Sequence, residues 1–239
     1  MIAIGTIRSP YGEKFAIPRQ PGLAPEALGY CDLTGEFGVA ETVRGLNQFS
    51  HIWLIFQFHQ TVAKGWQPLV RPPRLGGNKK VGVFASRSTF RPNGIGMSLV
   101  ELVDVESLNI DGQPTNRLTL RGLDLVDGTP VLDIKPYLPY AEAITDAKAG
   151  YADEKPSGQL AVIWSQAALQ GLTNKPSAQL PTLDIKVLIE QVLSQDPRPA
   201  YQAGKDSDRI YGVKLASMDV KFHFPAPTVV EVLSLVALC

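Results

Sequence analysis

Several short clusters, IPRQPG, FHQT, ASRSTFRPNGIG and DLVDGTPVLD, carry the residues of this sequence best suited to chemistry. Each sets amide, guanidinium, imidazole or carboxylate side chains beside a turn former, so that side chains and free backbone groups can converge on one small ligand. Taken singly, each cluster equally describes an ordinary turn, since Gly, Pro, Asn and Asp belong in turns. The segments that would carry other chemistries are missing. There is no GxxxxGK[ST], HExxH or GxSxG pattern, and His51, His59 and His223 are not spaced as metal ligands, so no metal site is expected. GIGMSL comes nearest to a dinucleotide fingerprint, but Leu99 stands where a third small residue is required and no helix pattern follows.

Charge is segregated along the chain. Lys+Arg and Asp+Glu both number 23, giving a formal net charge of zero, which by itself points to no polyanionic partner. Yet no Asp or Glu occurs between Glu41 and Glu101, while Arg44, Lys64, Arg71, Arg74, Lys79, Lys80, Arg87 and Arg91 all fall there. The segment suits either strand surface paired with acids from elsewhere or a basic loop, RPPRLGGNKK, laid along a phosphate backbone. Near the C-terminus, Arg198 and Arg209 beside Tyr201 and Tyr211 combine cations with rings that stack on bases. Arg71, Arg74, Lys79, Lys80, Arg91, Arg198, Tyr201 and Arg209 are therefore candidate RNA contacts.

The elements that would position these clusters read as strands up to about Tyr140. IAIGTI, ETVRGL, HIWLIFQF, VGVFAS, MSLVELVDV, RLTLRGLDL and PVLDIKPY are β-branched or aromatic runs separated by turn residues. Asp-Gly pairs at 111–112 and 127–128 suit tight hairpins. With no long amphipathic helix between them, the strands favour an antiparallel β-barrel over a parallel sheet. The expected fold is mainly β: a barrel over 1–142, a small polar linker over 143–160, and a small α+β domain over 161–239. In the last, IWSQAALQGL and TLDIKVLIEQVLSQD have helical spacing, and RIYGVKLASMDVKFHF and TVVEVLSLVAL are strand-like.

Cys31 and Cys239 form no metal-ligand spacing and suit a reducing compartment. The N-terminal residues lack the basic start and apolar run of an export signal, and HIWLIFQFH is too short to span a bilayer. A cytoplasmic protein with no membrane association is expected.

In combination the clusters are specific. SRSTFRPNGIGMS followed by DLVDGTPVLDIKPYLPY, with GTIRSPYGEKFAIPRQPGL, FSHIWLIFQFHQT, DPRPAY and YGVKLASMDVKFHF, resembles the TrmO family of tRNA (adenine37-N6)-methyltransferases. The resemblance implies a β-barrel methyltransferase that binds S-adenosylmethionine without a Rossmann sheet, forms a homodimer and acts on threonylcarbamoyladenosine at position 37 in the tRNA anticodon loop. It also implies cofactor contacts at Pro18, Arg19, Gln20, His59, Gln60, Arg87, Met97, Asp127, Gly128, Thr129 and Pro130. The acceptor nitrogen in that substrate is conjugated and protonated, so a general base is required. His59, Asp127, Lys135 and Tyr137 are the candidates, with no choice among them. The two arginines of SRSTFR divide as a hypothesis: Arg87 toward the cofactor, Arg91 toward RNA. A non-catalytic RNA-binding barrel is the alternative that the basic segment alone would support.

Overall fold

A computed structural model describes residues 1–154, 160–173, 184–198, 202, 204–205 and 207–238. In chain order the strands are β1 (Gly5–Arg8), β2 (Leu28–Leu33), β3 (His51–Gln57), β4 (Leu69–Val70), β5 (Val81–Gly82), β6 (Ile95–Ile110), β7 (Gln113–Arg121), β8 (Pro130–Pro136), β9 (Ala161–Trp164), β10 (Ser207–Leu215), β11 (Met218–Ala226) and β12 (Val229–Ala237). The helices are α1 (Pro139–Glu142), α2 (Gln166–Gly171) and α3 (Ile185–Leu193).

Strict alternation builds the barrel. In HIWLIFQ of β3, Ile52, Leu54 and Phe56 are buried while their neighbours are half exposed, the period-two pattern of a strand with one face on a core. Strands close in the order β1-β2-β7-β6-β3-β8, every neighbouring pair antiparallel. The interior holds Ile7, Cys31, Leu54, Val100, Leu118, Leu120 and Val131. Closure leaves the barrel no unpaired edge. Burial pushes the Cys31 thiol far above its usual pKa, with Asp32 adding to the effect, so it acts as a small core hydrophobe.

Four segments depart from the sequence reading. VGVFAS keeps only Val81 and Gly82 as a strand and continues as a 3-10 turn, Val83–Ala85. ETVRGL forms not a strand but 3-10 turns, Ala40–Val43 and Leu46–Gln48, broken by Gly45 at φ 85°. LGYCDL, unassigned by the sequence reading, is the strand β2 that links β1 to β7. Asp111-Gly112 makes the β6–β7 hairpin with φ of 51° and 78°. Asp127-Gly128, by contrast, joins no hairpin, because β8 pairs with β1 and β3 and not with β7.

The second sheet runs β10-β11-β12-β9, with β9 parallel to β12. Helix α3, N-capped by Asp184 through Val187 N–H at 3.1 Å, buries Leu188, Ile189, Val192 and Leu193 in the core beneath it. Tyr11, Ala24 and Ala27 belong to this same core. The main chain joins there too: Ala216 N–H donates to Pro10 O at 2.7 Å, and Asp127 N–H donates to Tyr11 O at 2.8 Å. The segment after β1 thus belongs to both units and ties the 124–129 turn to the second sheet. No helix among the described residues is long and apolar enough to cross a membrane.

Candidate functional site

A cleft of about 630 Å3 opens at one end of the barrel, within the size range of small-molecule sites. Segments far apart in sequence frame it: 14–20, the end of β3 with 55–61, the SRSTFR stretch, the start of β6, and the turn 124–129. Phe58 N–H donates to Gly94 O at 2.7 Å, which turns the chain out of β3 beside the GIG bend. Gly94 sits at φ 60°, and a Cβ there would stand 2.9 Å from Val62, so glycine is needed on both counts. A Cβ on Gly96 would stand 2.7 Å from Phe58; without one, Phe56 and Phe58 pack edge to face, centroids 5.1 Å apart, as the apolar wall.

The SRSTFR stretch is held by its own serines. Ser86 Oγ accepts from Ser88 N–H and Ser88 Oγ accepts from Phe90 N–H, each at 3.3 Å. Arg91 Nη1 donates to Ser86 O at 2.9 Å and to Val83 O at 3.3 Å. Arg87 reaches across the cleft and donates from Nη1 to Gln20 Oε1 at 2.6 Å.

Of the positions carried over from the family resemblance, Pro18, Arg19, Gln20, His59, Gln60, Arg87, Met97 and Thr129 line the cleft. Asp127, Gly128 and Pro130 do not. Asp127 Oδ1 accepts Ser9 N–H at 3.0 Å and the carboxylate lies 3.8 Å from Arg8, so it braces the turn to β1. Gly128 supplies φ 77° to the same turn, and Pro130 opens β8 opposite Thr6.

Among the proposed bases only His59 lines the cleft. Lys135 pairs with Asp133 at 3.2 Å, and Tyr137 packs edge-on to His51 and Trp53. Six residues of extended chain, ~20 Å at the usual rise per residue, separate Thr129 from Lys135.

The residue that sequence reasoning passes over is Asp124. It lines the cleft, partly exposed to it, with buried Leu123, Leu125 and Val126 around it. Buried Ser98 donates its hydroxyl to Asp124 Oδ1. Desolvation raises the carboxyl to about pKa 6, against lowering by the Ser98 bond, a backbone bond and Arg87. The available signal was an acid inside the apolar run LDLV. Nearby, the Tyr11 hydroxyl is buried with no hydrogen-bond partner among the described residues. Burial first, then the Asp124 charge, holds that phenol protonated well above its usual range.

The RNA-contact candidates divide. Arg71, Arg74, Lys79 and Lys80 are exposed. Arg91 lines the cleft alongside Arg87 and spends hydrogen bonds on loop carbonyls, so the expected division between the two arginines is not seen. Arg198 corrects its expectation: it is 2% exposed, pairs twice with Asp196 at 2.7 Å, donates to Lys205 O and stacks 3.6 Å over Phe224. Its guanidinium staples a loop to the second sheet and faces no partner outside. Arg209 lies over Tyr211 at the surface, and Tyr201 falls outside the described residues.

A closed antiparallel barrel with a cleft framed by its end loops defines a small-ligand-binding β-barrel protein, distinct from doubly wound nucleotide-binding sheets. Residues 6–143 match the tRNA-methyltransferase O N-terminal domain and residues 157–238 the TrmO C-terminal domain. The chain is 51% identical over 225 residues to the tRNA (adenine(37)-N6)-methyltransferase of Escherichia coli K12, covering 92% of this chain and 91% of that protein. It is 52% identical over 231 residues to a putative S-adenosylmethionine-dependent methyltransferase, RcsF, of Pseudomonas aeruginosa, covering 96% and 94%. The crystal structure of TrmO from Pseudomonas aeruginosa superposes with a TM-score of 0.79 at 44% identity, covering 98% of this chain and 96% of that one. The chain belongs to the TrmO family.

Proposed function

We propose that this protein transfers a methyl group from S-adenosylmethionine to N6 of threonylcarbamoyladenosine at position 37 in the anticodon loop of tRNA. The observation that carries the reading is the cleft itself. In a chain of the TrmO family, PRQ, HQ, Arg87 and the 124–129 turn converge on one cavity.

The cleft fits the cofactor. Phe56, Phe58, Leu125 and Val126 offer an apolar wall for a purine, while Gln20, Gln60 and backbone groups offer neutral hydrogen-bonding partners for ribose and the amino-acid tail. S-adenosylmethionine supplies an electrophilic methyl group on a sulfonium. Gln20 and Arg87, already bonded to each other, hold the ligand's orientation, which is the larger demand in a displacement reaction. Asp124 accepts the proton of the acceptor nitrogen. A carboxyl near pKa 6 is ionised at neutral pH and close enough to working pH for general-base catalysis. Ser98 fixes its rotamer, and Leu125 and Val126 keep water away from its flank.

The unit over 1–142 carries the transfer site, 143–160 links, and 161–239 reads the RNA. Two copies pair along β6, where Met97 is 57% exposed at the rim of the cleft and Val103 and Leu108 are exposed beyond it. The protein works in the cytoplasm, where tRNA is modified. Purified protein is incubated with methyl-labelled cofactor and tRNA carrying or lacking the threonylcarbamoyl group. Label should enter the modified tRNA; label in neither contradicts the reading, and sedimentation as a monomer contradicts the pairing.

A further inference from the structure

A second cavity, of about 240 Å3, takes part of its lining from the same SRSTFR stretch as the first. The SRSTFR stretch is the wall between them. Ser86, Arg87, Thr89 and Arg91 line the large cleft, while Ser88 and Phe90 line the small one, so from Arg87 onward successive residues fall on opposite sides, as along an extended chain. The opposite wall is the β4–β5 ribbon, closed by Val83 N–H to Pro68 O at 3.0 Å and fastened to the stretch by Gln67 N–H to Phe90 O at 3.2 Å. Whatever enters the small cavity lies one extended chain away from the transfer cleft.

The ribbon has a feature that is unfavourable by itself. Leu69 pairs with Gly82 and Val70 with Val81; continued by one residue past the last pair, that register brings Arg71 beside Lys80, and both line the cavity. Like charges directly opposite on paired strands are destabilising. No acid occurs between Glu41 and Glu101 to relieve them. Of the eight cations in that segment, only Arg44 has an ion-pair partner among the described residues. Gln67 and Ser88 add neutral polar groups, and Leu69 and Phe90 add an apolar surface. A guanidinium fork beside an ammonium and neutral polar groups is matched to a phosphate or carboxylate.

We infer that this cavity is an oxyanion site for the RNA substrate, in which Arg71 and Lys80 grip an anionic group next to the nucleotide being methylated. This rests on the proposed tRNA methylation. The oxyanion has two sources in that substrate, a backbone phosphate flanking the target and the threonyl carboxylate of its modification.

The test uses Arg71→Gln, Lys80→Gln and the double variant. Dissociation constants for tRNA with and without the threonylcarbamoyl group are measured at several salt concentrations, together with the dissociation constant for S-adenosylmethionine. Weakening of tRNA binding on the order of tenfold or more in the double variant, with cofactor binding unchanged, supports the site. Equal weakening for both tRNAs, with a salt slope reduced by roughly one per lost phosphate contact, identifies a phosphate. Weakening confined to the modified tRNA identifies the carboxylate. Wild-type affinity of the double variant for both tRNAs overturns the inference. Because these are binding measurements, a wild-type protein that binds tRNA yet transfers no methyl group refutes the proposed function and leaves the cavity's test standing.

Discussion

Replacing Asp124 with Asn should make the protein more stable and nearly inactive. The carboxyl has a folded-state pKa of about 6 against an ordinary 3.8, a rise of roughly two units, or about 3 kcal/mol at ~1.4 kcal/mol per unit. Below the ordinary value both folded and unfolded chains hold the proton and the burial costs nothing. Between the two values the folded chain keeps a proton that the unfolded chain has released, so stability falls as pH rises through that window and levels off above it. Asn is isosteric, can still accept from Ser98 Oγ, and never ionises. The stability gap between Asp124→Asn and wild type should therefore open from near zero at about pH 3 to as much as ~3 kcal/mol near pH 7, read from urea midpoints at constant m-value. Over the same range wild-type kcat/KM for tRNA should rise with pH through about 6, while the variant loses that limb and falls on the order of a hundredfold or more. A gap that does not change with pH would refute the raised pKa. An unaltered acid limb in the variant would refute the role as base.

Other substitutions separate packing from binding. Tyr11→Phe removes a buried hydroxyl that has no hydrogen-bond partner among the described residues and should stabilise by about 1 kcal/mol in thermal or urea melts; a comparable loss would mean that the hydroxyl has a polar partner. Arg198→Ala strips the cation from its pair with Asp196 and from the Phe224 ring and should destabilise by about 3 kcal/mol, with tRNA affinity of the folded fraction unchanged. Gly94→Ala forces a side chain into a left-handed position 2.9 Å from Val62 and should cost about 1–2 kcal/mol, measurable in the same melts. Arg87→Ala breaks the bond to Gln20 and should weaken S-adenosylmethionine binding about tenfold by calorimetry; unchanged affinity would remove Arg87 from the ligand's contacts.

The barrel is legible in the sequence wherever one face is greasy and the other polar, as in HIWLIFQF, because burial imposes that alternation residue by residue. LGYCDL escapes because its inward positions are Gly29, Cys31 and Leu33, two of them too small to register as a hydrophobic face. ETVRGL misleads in the opposite direction: its β-branched residues suggest a strand, but Gly45 at φ 85° breaks the run into tight turns. The clusters that frame the cleft can be found because turn chemistry is local. What each acid or cation faces is set by distant segments and is not local. Asp124 and Asp127 lie three residues apart in one motif, yet the first opens onto the cleft and the second turns to Ser9 on β1's flank. Arg198 looks like a surface cation beside tyrosines, until Phe224 and Asp196 enclose it.

The most direct test of the central claim is nucleoside analysis of tRNA after reaction with the purified protein and S-adenosylmethionine. The account predicts that the nucleoside at position 37 gains one methyl group on N6 of threonylcarbamoyladenosine. A methyl group at another position or atom, or none in a protein that binds the cofactor, would contradict it.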